Sequence, residues 1–190
     1  MIGASWTALF LAAGRSVAVF DVDANVEKSV RDYIERAWPT LQELDLVKGG
    51  DPEAVTFHKT PAEAVKGASF VQESVPERIA VKHQLYKEIE DRLEKDAMVA
   101  TSASGLTLSE LQAGWKNPSH FVLGHPFNPP HLIPLVEVMG NERTGDGVVE
   151  IAERFYQSIG KVTIRVNREA PGHVANRLQA AVWREAIHLV

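Results

Sequence analysis

The sequence predicts an α/β protein whose sheet is mostly parallel and covered by helices on both faces. Two observations carry this. Short β-rich apolar runs alternate with segments of helical periodicity, the pattern of strand–helix–strand units. Polar residues able to do chemistry also follow the ends of these runs, at Asp21, Glu73 and Ser104, where open parallel sheets collect ligands.

Gly3 to Ala13 reads as a buried helix that Gly14 stops. Val17 to Phe20 is a strand ending in Asp21, and Asn25 to Trp38 a helix capped by Asp23 or Asn25. After a loop over Lys48 to Pro52 come a strand at Val55 to His58 and a short helix at Pro61 to Val65. Ala68 to Gln72 is a strand closed by Glu73, and Ile79 to Leu93 is the best amphipathic helix of the chain. Met98 to Thr101 is a strand and Leu108 to Gln112 a helical turn or two. Apolar runs at Phe121 to Gly124 and Leu135 to Met139 then flank a proline-rich loop. A helix from Gly147 to Ile159 stops at Gly160, and a strand follows at Val162 to Val166. A last helix, opened by Gly172 or His173, is still running at Val190.

The net charge of −5 gives no reason to expect nucleic acid or an anionic membrane as partner. The apolar start is too short to span a bilayer. With no cysteine there are no disulfides, thiolate metal sites or cysteine nucleophile, and the histidines lack metal-ligand spacing. A cytoplasmic protein fits this pattern.

A dinucleotide-binding domain opens with a strand, a G-x-G-x-x-G turn and a helix whose N-terminus faces the pyrophosphate. Here the helix is present and Gly3 sits where the third glycine belongs, but the first strand and the first two glycines are absent. Asp21 closes the next strand at about the ~20-residue spacing that suits a ribose 2′-hydroxyl. No arginine follows it to take a 2′-phosphate, which favours NAD over NADP.

The segment Gly124-His125-Pro126-Phe127-Asn128-Pro129 joins a histidine to a stiff turn, and Pro134-Leu135-Val136-Glu137-Val138 brings a carboxylate back. A histidine oriented by a carboxylate is what proton removal from an alcohol requires. With Pro171-Gly172-His173-Val174-Ala175-Asn176-Arg177-Leu178, these motifs occur in an order that resembles the L-3-hydroxyacyl-CoA dehydrogenase superfamily, from Gly3 to Val190. Pro126 after the histidine is most similar to a branch that includes carnitine dehydrogenases and lambda-crystallin-like gulonate dehydrogenases.

The resemblance implies a Rossmann-type NAD-binding domain over residues 1–171, lacking its first strand. Residues 172–190 would begin an all-α domain for substrate binding and dimerisation. It also implies roles. His125 is the catalytic base and Glu137 orients it. Ser104 hydrogen-bonds the substrate's 3-oxygen, Asn176 helps hold the substrate, Glu73 lies near the nicotinamide, and Asn128 shapes the loop. Gly3 and Asp21 complete the cofactor site. The implied reaction oxidises the 3-hydroxyl of an L-3-hydroxyacyl-CoA, or of a CoA-free acid such as carnitine or gulonate, and the full-length protein would be a homodimer. A non-catalytic, crystallin-like protein of the same fold is the alternative. With most of the phosphate turn and the helical domain missing, these 190 residues are expected to bind NAD weakly and turn over slowly.

Overall fold

The computed structural model describes residues 2–190. Among the described residues, seven strands and seven α-helices mostly alternate: α1 Ile2–Ala12, β1 Val17–Val19, α2 Val26–Glu43, β2 Val55–Phe57, α3 Pro61–Ala64, β3 Phe70–Glu73, α4 Ile79–Ile89, β4 Met98–Thr101, α5 Leu108–Gln112, β5 Phe121–Pro126, β6 Leu135–Met139, α6 Val148–Ser158, β7 Val162–Arg165 and α7 Ala175–His188. A 3-10 turn, Glu90–Arg92, extends α4. None of these helices is long and apolar enough to cross a membrane.

The strands form two sheets, a parallel pair β1-β2 and a five-stranded sheet β3-β4-β5-β6-β7. All ladders are parallel except β5 with β6. No ladder joins β1 to β3, and α1 packs on both. The strands are therefore divided between β1 and β3.

Strand residues alternate between two cores, as the period of two requires. Met98, Ala100, Val122, Val136 and Val138 pack with α1, α2 and α6. Val99, Phe121, Leu123 and Met139 pack on the opposite face with Tyr86, Ile89, Leu108 and Leu111. Helix α1 is buried from Ser5 to Ala12, as an all-round apolar helix must be.

Three boundaries differ from expectation. Helix α2 runs past Trp38 through Pro39 to Glu43. An interior proline costs about 3 kcal/mol. Burial of Ile34 before it and Leu41 beyond it returns about 1.5–3 kcal/mol each, so packing wins. Strand β5 extends to Pro126 and so contains His125. The last helix begins at Ala175, because Gly172 (φ 77°) and His173 (φ 49°) are both left-handed and turn the chain first.

Gly124, just before the predicted base, lets Tyr156 approach the strand closely: a Cβ there would lie 1.9 Å from Tyr156 Oη. Gly124→Ala is expected to destabilise the fold by at least about 1–3 kcal/mol through overpacking, read as a lowered midpoint of thermal unfolding.

Candidate active site

His125 and Glu137 face each other across the antiparallel β5–β6 ladder. Both point to the α4/α5 side of the sheet, sharing the parity of Leu123 and Met139. His125 Nδ1 lies 2.7 Å from Glu137 Oε2. A carboxylate accepts, so Nδ1 carries the proton and Nε2 keeps its lone pair. The other carboxylate oxygen, Oε1, accepts the N–H groups of Val174 and Ala175 at 2.9 Å each. Burial pushes the Glu137 carboxyl up, but His125 and these two N–H groups outweigh it and hold the carboxyl below its ordinary value of 4.5.

The loop between the two strands is tied down from beneath. Buried Lys161 donates to the carbonyls of Pro130 and Ile133 and sits 5.0 Å from the Trp6 ring centroid. Burial pushes its ammonium down to about 8. Ser5 Oγ accepts the backbone N–H of His131 and also bonds its Nδ1, which fixes the loop to α1. Asn128 precedes a cis peptide bond to Pro129.

Asn176 lies in the first turn of α7, directly after the two residues that bond Glu137. Ser104 reaches the same region through its neighbour: the Ala103 carbonyl accepts a 3.0 Å hydrogen bond from His173 Nε2. The His173 ring centre is 5.2 Å from that of His125. Burial lowers the His173 imidazole, favouring the neutral form. Buried His173 thus lies beside the predicted base. Spacing alone carried no signal for it.

Ser104 does not cap α5. Thr107 does, in a capping box with Glu110. The Ser104 hydroxyl instead donates to Glu77 Oε2 at 2.7 Å. The Glu77 carboxylate also accepts the N–H groups of Ser104, Gly105 and Leu106. Burial pushes this carboxyl up, but the Gly105, Ser104 and Leu106 donors prevail and hold it below the ordinary range. Glu77 was missed from sequence, although it follows the end of β3 by four residues.

Glu73 corrects an expectation. It is 3 % exposed and points into the core. Lys82 Nζ donates to both its oxygens, at 2.7 and 2.9 Å, and Tyr86, Thr101 and the Val75 N–H complete its shell. This carboxylate is fully matched by protein donors and cannot meet a nicotinamide without breaking them. Asp21 is exposed at the end of β1, its Oδ1 accepting the Asp23 N–H. Gly3 lies in the first turn of α1, where a Cβ would come 4.0 Å from Ser74 Cβ.

Residues 1–170 match the family described as 3-hydroxyacyl-CoA dehydrogenase, NAD binding domain. The whole chain is 44% identical to an L-carnitine dehydrogenase of Streptomyces coelicolor, spanning 60% of that protein. It is 40% identical to one of Pseudomonas putida, spanning 59% of it. The chain thus spans about three-fifths of the length of these curated relatives. Among solved structures, an NAD+-dependent 5-formyl-3-hydroxy-2-methylpyridine 4-carboxylic acid 5-dehydrogenase superposes with a TM-score of 0.92 at 33% identity, over 100% of this chain and 62% of its own. A 3-hydroxybutyryl-CoA dehydrogenase of Escherichia coli shares the fold, with a TM-score of 0.86 at 23% identity, over 100% of this chain and 41% of its own.

Two outcomes follow from the buried acids. Lys82→Met leaves Glu73 uncompensated and should cost about 3–5 kcal/mol in chemical denaturation. Glu137 has a depressed folded value, so its contribution to stability is present above pH 4.5 and lost as pH falls through that lower value. Glu137→Gln should flatten the acid side of the stability–pH curve.

Proposed function

The chain belongs to the 3-hydroxyacyl-CoA dehydrogenase family, and from that premise we propose that the protein is an NAD-dependent dehydrogenase oxidising the 3-hydroxyl of a small CoA-free hydroxy acid of the carnitine kind. The observation that carries the reaction class is the buried 2.7 Å His125–Glu137 pair, which leaves Nε2 free to accept a proton. Pro126 and the relatives named L-carnitine dehydrogenase support the CoA-free substrate over an acyl-CoA.

The residues present suit the dinucleotide in part. Asp21 offers a carboxylate oxygen to a ribose 2′-hydroxyl, and α1 brings an N-terminus with the side-chain-free Gly3 to the carboxyl ends of the strands. NAD, when bound, supplies the hydride acceptor. His125 Nε2 takes the hydroxyl proton as the hydride leaves carbon. Glu137 stabilises the imidazolium that forms and keeps the ring in one orientation. Neutral His173 adds no competing charge beside it. In the reverse direction, Ser104, Asn176 and protonated His125 donate to the oxygen as its negative charge grows. For Ser104 this means turning its proton from Glu77 to substrate. Residues 1–171 form the cofactor-binding unit in this reading. Residues 172–190 open a helical unit, since α7 has no buried residue and exposes Leu178, Val182, Trp183 and Ile187.

NADH formation with L-carnitine and with a 3-hydroxyacyl-CoA tests the substrate, and turnover of the acyl-CoA alone would reject the CoA-free reading. His125→Ala should lower kcat by about a hundred- to ten-thousandfold. Glu137→Gln should lower kcat by about a hundredfold or more.

A further inference from the structure

The carboxyl ends of β3 and β4 hold a pair of hydroxyls that the chemistry above leaves unused. Ser102 Oγ lies 2.9 Å from Ser74 Oγ. Ser102 also accepts a 2.9 Å hydrogen bond from Gln72 Nε2. The direction of that bond is set by its surroundings. The same Nε2 faces the carbonyl oxygens of Ala100 and Gly124, while Gln72 Oε1 receives the hydroxyl of buried Tyr156 at 2.6 Å. Reversing the amide would set oxygen against two carbonyls.

The two serines carry two hydroxyl protons, and one of them joins the pair. The other has no acceptor among the described residues, whichever way the shared bond runs. Ser102 is 8 % exposed, and its hydroxyl meets only Ser74 and Gln72. Ser74 is half-buried and opens the pair towards the start of α1, where Gly3 is its neighbour.

The order of elements says what passes this point. Asp21 follows β1, α1 packs on both β1 and β3, Ser74 and Ser102 come after β3 and β4, and His125 lies on β5. A dinucleotide with its adenosine ribose at Asp21 and its reactive ring at His125 crosses the start of α1 with its pyrophosphate. The next unit along it is the second ribose, which meets the serine pair. We propose that Ser74 and Ser102 form a directed donor pair for a hydroxyl oxygen of the nicotinamide-side ribose, oriented by Gln72 and Tyr156. This rests on the dinucleotide reading above and assigns two binding residues to it.

The test is fluorescence titration of the 190-residue chain and its Ser74→Ala and Ser102→Ala variants with NADH, ADP-ribose and ADP, carried to millimolar ligand. ADP-ribose keeps the second ribose and ADP lacks it. Each variant should weaken NADH and ADP-ribose by about three- to tenfold, the worth of one hydrogen bond, and leave ADP within about twofold. Ser102→Ala also strips an acceptor from Gln72, so thermal midpoints without ligand are compared, and the half-buried Ser74→Ala decides if the first variant does not fold. Unchanged NADH affinity in Ser74→Ala overturns the proposal. Equal weakening of ADP overturns it too, by moving the pair to the adenosine side. A wild-type chain that binds neither NADH nor ADP-ribose overturns the dinucleotide reading itself, a distinct result.

Discussion

Glu137 is the side chain on which the site depends. It is fully buried, and a buried carboxylate must be matched by donors. Its donors are the His125 ring and two backbone N–H groups at the start of α7. Those N–H groups belong to the set that every helix start leaves unpaired, and the positive end of the helix favours the same negative charge. One carboxylate therefore orients the imidazole and fixes where α7 leaves the sheet. The tautomer of His125 and the direction of the chain after His173 are a single constraint, so Asn176 is held in register with the imidazole.

The α4/α5 side of the sheet carries a second buried carboxylate, and the contrast explains why only one pair is able to exchange a proton. Glu73 is held by a lysine ammonium, two hydroxyls and a backbone N–H. An ammonium locked against a carboxylate has no open lone pair and no route to a ligand. Its neighbour Tyr86 is pushed far up by burial and by the Glu73 charge, so it keeps its proton as well. The imidazole facing Glu137 differs in having two nitrogens. One is fixed by the carboxylate, which leaves the other to exchange a proton.

The sequence read well wherever periodicity and motif agreed. The alternation from Val17 to Thr101 located the first four strands within a residue or two, and the His125–Glu137 pair emerged as a cross-strand contact. What escaped was set by tertiary contact. Pro39 suggests a stop, yet burial of Ile34 and Leu41 carries α2 onward. Glu73 and Glu77 both stand near the end of β3, and nothing local says which one turns inward. Lys82, three residues into α4, decides it by reaching back to Glu73 and leaving Glu77 to gather the Ser104 loop. His173 sits beside His125 because two consecutive left-handed residues double the chain back, and positive φ at a histidine is not legible from sequence.

The divided sheet makes one packing cluster responsible for more than stability. No ladder aligns β1 with β3, so the offset between Asp21 and the Ser74–Ser102 pair is set by how α1 packs on both. That packing is aromatic. Trp6 and Phe10 lie 5.5 Å apart, Phe10 meets Phe70 of β3 edge-on at 6.4 Å, and Phe70 stacks on Phe155 of α6 at 3.7 Å. Tyr156, the next residue of α6, lies 5.7 Å from Trp6 and sends its hydroxyl to Gln72. The rings that seat α1 thus also hold the amide that directs the serine pair. A shift of α1 would move the helix start and tilt Tyr156 together, so the two halves of the proposed cofactor crevice are coupled through the core beneath them rather than through the sheet.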